Sequence, residues 1–136
     1  MNTCYNTGLG SFQKWHIGND IREILLADAD VHEKVGENIY PLIAPENVAG
    51  EFLVYNRAKY SKETVKMGVW SDDCQLVITA VSDDYDSALD LAAAIDNALV
   101  GQHTNSDGMK FTVELVDSSE EFSDLKYIET LLLRIK

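Results

Sequence analysis

The densest set of groups that could do chemistry is the acidic run Asp83, Asp84, Asp86 and Asp90. Clustered carboxylates invite a calcium-loop reading, because a hard divalent cation collects oxygen ligands at fixed loop positions. The spacing rejects it. With Asp84 as first ligand, Ala88 stands at the fifth position, Leu89 where the turn glycine belongs, and Ile95 where the bidentate glutamate belongs. Helix capping uses the same acids at less cost. Asp83 sits where an N-cap is wanted, with Asp86 three residues on, and negative charge suits the positive end of a helix.

The three histidines, His16, His32 and His103, fall in an arm, a helix and a loop. No pair has the spacing of a helical zinc site, and no Cys-His set has finger spacing, so each reads as a solvated surface residue. Cys4 and Cys74 lack a C-x-x-C partner and a nearby base that would lower a thiol pKa. Two unpaired thiols suit a reducing compartment. Gly8-Leu9-Gly10 has no lysine after it and no strand before it, so it reads as tail and not as a phosphate loop. No serine stands in a G-x-S-x-G elbow. No catalytic, cofactor-binding or metal-binding residue is assigned, and the expectation is a protein that is not an enzyme and needs no cofactor.

One cluster remains. Arg57, Lys59, Lys62 and Lys66 gather four of the eleven basic residues into ten positions. They fit a guarded strand edge, where lysine discourages aggregation. They equally fit a self-association or partner interface, since a basic finger complements the acidic body of another copy. Both readings stay open at this point.

The element that would organise the rest runs from Gln75 to Leu99. Leu76, Ile78 and Ala80 alternate with Gln75, Val77, Thr79 and Val81, the period of a strand. From Ala88 the period changes: Ala88, Leu91, Ala92, Ile95, Ala98 and Leu99 line one side of a helix, and Gly101 offers a left-handed stop. Upstream, Asp20 with Glu23 and Asp30 with Glu33 have capping-box spacing, which predicts two short helices or one bent helix from about Asp20 to Val35, ended by Gly36. Residues 1–18 read as a loose arm. Glu37 to Gly50 holds both prolines and reads as a loop with a short extended piece at Asn38 to Tyr40. Glu51 to Val81 reads as an antiparallel hairpin whose tip carries the basic cluster, broken before its return strand by Asp72-Asp73. Gly101 to Gly108 reads as a polar loop, and Lys110 to Val116 as a strand with Phe111, Val113 and Leu115 inward. Asp117 to Asp124 reads as an acidic turn. The final run fits both periods. A strand is preferred, because the strand before it needs a neighbour.

The expected fold is therefore α+β: a mainly antiparallel sheet of about four strands, with the N-terminal helix or helices and one central helix on one face. Residues 19–136 should form one domain after the arm, large enough to bury a core without a staple. The chain has 136 residues, 46% hydrophobic and 25% charged, and a formal net charge of −12. That charge repels nucleic acid and anionic membrane, so neither sequence-specific nucleic-acid binding nor a membrane partner is expected. No stretch is long and apolar enough to span a bilayer, and the N-terminus does not read as a secretory signal, which gives a cytoplasmic expectation.

Three strings carry a family likeness: IREILLADADVHEKVGENIYPLIAP, EFLVYNRAKYSK and QLVITAVSDDYDSALDLAAAIDNAL. The LLAD helix end, the V-G before I-Y-P, the F-L-V-Y strand, and the strand running into an S-D-D-Y-x-x-A helix resemble a phage tail-completion, or tail-terminator, family. The likeness covers about Asp20 to Lys136. It implies a structural phage or prophage tail protein that caps the tail tube and joins it to the head connector. Its partners would be further copies of itself in a ring (a hexamer is one size), the tail-tube protein and the head-connector protein. Its location would be the bacterial host cytoplasm during assembly and then the virion tail, with a ring lumen that passes DNA. The competing reading is a cytoplasmic small-ligand or protein-binding module without catalytic activity.

Overall fold

The structure is a computed structural model that describes residues 14–64 and 70–136. Two helices come first, α1 (Ile17–Ala27) and α2 (Ala29–Val35), followed by a short strand β1 (Ile39–Pro41). A long hairpin, β2 (Phe52–Thr64) and β3 (Trp70–Ser82), leads into helix α3 (Tyr85–Leu99). Three strands finish the chain: β4 (Gly101–Thr104), β5 (Lys110–Ser123) and β6 (Lys126–Ile135). The sheet has six strands in the order β1-β2-β3-β6-β5-β4, with β1 parallel to β2 and every other pair antiparallel.

The class is α+β as expected, but six strands replace about four. The two additions are the sheet margins. β1 adds to the Asn38–Tyr40 expectation by pairing Ile39 to Pro41 with Leu53 to Tyr55. β4 occupies what reads as a polar loop, pairing Gly101 to Thr104 with Val113 to Lys110. Such edge strands bury little, and Gln102 and Thr104 stay exposed, so no apolar alternation announces them.

The helices cover one face of the sheet. α1 lies over β2, and α3 over β3 and β6. Ile17, Ile21 and Leu25 of α1 and Leu91, Ile95 and Leu99 of α3 are buried against Leu53, Leu76, Ile78, Leu131, Leu133 and Ile135. Ala94 takes the buried place, and Ala92 and Ala98 sit at the margin of the core. At Gly18 the backbone of α1 passes so close to β2 that an added Cβ would stand 2.9 Å from the Tyr55 ring.

The helix starts differ from the capping signals. α1 begins one turn before Asp20, at Ile17, with His16 in the N-cap position and no side-chain cap. Burial of Ile17 and Ile21 fixes that first turn instead. α2 is capped by Asp28, whose Oδ2 accepts the Val31 N–H at 3.1 Å, and not by Asp30. α3 is capped by Asp84, whose Oδ2 accepts the Ser87 N–H at 2.9 Å, leaving Asp83 to pair with Lys126. In both cases adjacent acids compete, and the one whose backbone is extended at the helix start becomes the cap. Gly36, at φ +59°, stops α2 as read. Gly101, at φ +131°, follows the α3 cap residue Val100 and opens β4 directly.

The C-terminal run is a strand, flanked on both sides by β3 and β5. The acidic turn is also strand. β5 continues to Ser123 beside β6, and the reversal is a tight one at Asp124-Leu125, both at positive φ. That is the backbone of a two-residue hairpin, which matches the strand twist. Leu115 is 40% exposed, contrary to the inward reading, and a register shift between Leu115 and Asp117 begins there.

Candidate assembly surface

The basic cluster rides on the β2–β3 hairpin. β3 pairs with β6 only from Cys74 to Ser82, so Ser61 to Thr64 and Trp70 to Asp73 run on beyond the end of β6 as a two-stranded arm. Lys66 lies outside the described residues, as do Cys4, Phe12 and Gly8-Leu9-Gly10. Of the other three cations only Lys62 is on this arm; Arg57 and Lys59, expected at the hairpin tip, sit at its base, where β2 stands opposite Leu76 and Gln75 of β3. The Arg57 guanidinium lies 4.7 Å from the Trp15 ring centroid, and its Nη1 donates to the Trp15 carbonyl at 3.3 Å. Lys59 Nζ is 3.0 Å from Asp73 Oδ2, and Lys62 Nζ stands 5.6 Å over the Tyr60 ring. Trp15 meets Tyr60 edge-on at 5.3 Å.

Asp72 and Asp73, which read as a break in the sequence, are the cross-strand partners of this arm. Lys62 sits opposite Asp72 in the register. The Asp72 carboxylate also accepts both of its hydrogen bonds from Lys14 Nζ, at 2.8 and 2.7 Å, and that lysine is 5% exposed. The Lys59 hydrogen bond, then that of Gln75, holds the Asp73 carboxyl below the usual carboxylate range. Lys14 to Gly18, the last five residues of the expected arm, thus lie on the body, with the Lys14 N–H donating to Tyr60 Oη at 3.1 Å. Trp15, Ile17, Leu42, Tyr55 and Arg57 line a groove of about 220 Å³ at the arm's foot.

The remaining chemical candidates stay apart. His16 is exposed at the N-cap of α1 and His32 on α2, while His103 Nε2 lies 2.6 Å from the Leu99 carbonyl. Among the described residues no group of three or more His, Cys, Asp or Glu is placed to hold a metal ion. Cys74 is fully buried, and burial pushes its thiol pKa up. Asp86 and Asp90 are exposed on α3.

A second cluster, on β5 and β6, was not singled out from the sequence. Glu129 projects from the same face of β6 as Leu131, Leu133 and Ile135 and is 8% exposed. Its Oε2 has no hydrogen-bond partner among the described residues. Across the strand pair stands Glu120, whose two carboxylate oxygens accept from Tyr85 Oη at 3.0 and 3.1 Å. Burial first, then the hydrogen bond and charge of Glu120, push the Glu129 pKa up to about 7. Tyr85, Tyr127 and Phe122 form an aromatic row beside this pair, with centroids 5.7 and 4.8 Å apart. Alternation with Leu131, Leu133 and Ile135 puts Glu129 on the inward face once the run is read as a strand.

No helix of the described residues is long and apolar enough to cross a membrane. No curated protein sequence matches the chain. A solved structure described as "Virion of native gene transfer agent (GTA) particle" contains a chain of similar fold, with a TM-score of 0.71 and 21% identity. The match covers 86% of this chain and 90% of that one. The family described as Tail completion protein gp17 matches residues 19–121, which take in all three helices and the sheet as far as β5. With the helix-and-hairpin order of the structure and the match over most of its length in agreement, the chain belongs to the tail completion protein gp17 family.

Proposed function

We propose that this chain is a structural protein of a phage-type tail, and that copies of it form a ring which closes the end of the tail tube and joins it to the head connector. The observation that carries this reading is the family match over residues 19–121. The similar fold of a chain from a gene transfer agent virion supports it, since that chain too belongs to an assembled particle. The surface supports it as well: Arg57, Lys59 and Lys62 gather on β2, and exposed large apolar side chains stand at the arm's foot (Trp15, Leu42, Ile43) and on β5 (Leu115, Val116, Phe122). Bodies of net charge −12 repel one another, so a ring needs attractive contacts placed against that field. The basic cluster of the β2–β3 segment, Arg57, Lys59, Lys62 and Lys66, would serve as such contacts.

The test is assembly on tube protein. Purified chain is added to polymerising tail-tube protein, and tube length and end structure are followed by negative-stain microscopy. The expected result is shortened tubes with a ring at one end and lost growth at that end. Tubes of unchanged length with bare ends at a molar excess of the chain would refute the capping role.

A further inference from the structure

We propose that the outer edge of β5, with Asp117, Glu120, Glu121, Val116 and Phe122, receives the β2–β3 arm of a second copy of this chain. The inference rests on the ring reading and names the surface that the arm engages.

Backbone pairing comes first. β4 covers β5 only from Lys110 to Val113, and no described strand pairs with its outer edge from Glu114 to Ser123. β1 covers β2 only from Leu53 to Tyr55, so no described strand pairs with the outer edge of β2 from Asn56 to Thr64. Long open edges invite a strand from another chain unless they are guarded. The two lie toward opposite margins of the sheet. A contact between them is therefore heterologous, head to tail, and such a contact repeated with rotation closes a ring.

Apolar exposure divides in the same way. Leu115, Val116, Phe122 and Leu125 are 40 to 82% exposed on β5 and its turn, and Trp15, Leu42 and Ile43 are 60 to 78% exposed at the arm's foot. Leu42 and Leu125 have φ of +66° and +64°. Left-handed backbone favours glycine, so a leucine held there is strained while its exposed side chain buries little in this fold. One such leucine stands on each surface.

Charge decides the pairing. From Thr112 to Ser123 there is no basic residue, while Asp117, Glu120 and Glu121 line the edge. Behind them Glu129 is buried with an unpartnered Oε2, so the Glu120–Glu129 pair lacks a counter-charge among the described residues. Lys59 is half exposed, and Arg57 directs one N–H of its fork to Trp15. Both can present charge to a neighbour without unfolding the arm.

Three variants and one crosslink test this. Arg57→Glu/Lys59→Glu and Glu120→Lys/Glu121→Lys should each weaken ring formation on tube ends by about tenfold or more, and the four changes in one chain should restore it to within about threefold. In wild-type assemblies, zero-length lysine–carboxylate crosslinking should join Lys59 or Lys62 to Glu120, Glu121 or Asp117 of another copy. The proposal is overturned if rings form with the edge variant as with wild type, if the fourfold variant stays inactive while folded, or if intersubunit crosslinks avoid β5. Rings that form without these crosslinks sink the arm-to-edge contact alone. Absence of wild-type rings sinks the ring reading with it.

Discussion

Glu129 shows how a single residue ties folding to pH. Its carboxyl is held protonated up to about pH 7 by burial and by the neighbouring Glu120, whereas in the unfolded chain it ionises near the ordinary glutamate value. Native protein therefore binds more protons than unfolded protein between those two values, and stability falls as pH rises through that window. Glu129→Gln keeps the shape and removes the titration. Urea unfolding should show the variant about 1–3 kcal/mol more stable than wild type at pH 8, with the difference gone at pH 4. An unchanged pH slope would mean that Glu129 ionises freely in the native state. The Lys14–Asp72 pair is the counterpart at the other end of the sheet. Asp72→Ala leaves the buried Lys14 without this carboxylate and should cost about 1–3 kcal/mol, read as a lower urea midpoint.

At the scale of elements, α3 is the helix on which the sheet face closes. Leu91 and Ile95 are both fully buried, so Leu91→Ala or Ile95→Ala should each cost about 2–5 kcal/mol in thermal or urea unfolding. Its N-terminus separates two adjacent acids. Asp84→Ala should cost about 1 kcal/mol, because the Ser87 N–H loses its acceptor, while Asp83→Ala removes only a surface ion pair and should cost well under that. Equal losses would place the cap elsewhere. The β5–β6 turn gives the reverse sign. Leu125→Gly relieves a left-handed leucine and should stabilise the isolated chain by about 1 kcal/mol. If β5 is the receiving edge, the same change should weaken assembly, a trade that pure folding would not require.

For the molecule as a whole, the two clusters stand toward opposite margins of one sheet, and the net charge of −12 sets what they must overcome. The general repulsion is long-ranged and screened by salt, whereas contacts between the arm and the β5 edge act at close quarters. Moderate salt should therefore raise the rate of wild-type assembly more than it weakens the assembled ring. The Glu120→Lys/Glu121→Lys variant, whose net charge is less negative by four, should show less of that salt activation. Light scattering during tube capping, from low to physiological ionic strength, measures both.

What the sequence determined was local: periodicity showed β3 and α3 as a unit, and Gly36 marked a helix end. The Glu51–Val81 hairpin and the α+β class followed from the same patterns. The family likeness rested on those strings, and the match over residues 19–121 agrees with it. Tertiary structure decided what depends on neighbours distant in the chain. Adjacent acids compete for a cap until the chain's entry angle is set, which is how Asp84 and Asp28 displace Asp83 and Asp30. Edge strands such as β1 and β4 bury too little to impose alternation, so their existence depends on the strand beside them. The length of β5 was hidden for the opposite reason: past Leu115 neither face is covered, and a strand with no buried face has the composition of an acidic turn. The basic cluster was legible as charge, yet its partners Trp15, Asp72 and Asp73 arrive from other parts of the chain. Glu129 shares the alternating face of Leu131, Leu133 and Ile135, but how deeply that end of β6 is buried is decided by the strands and helix packed around it.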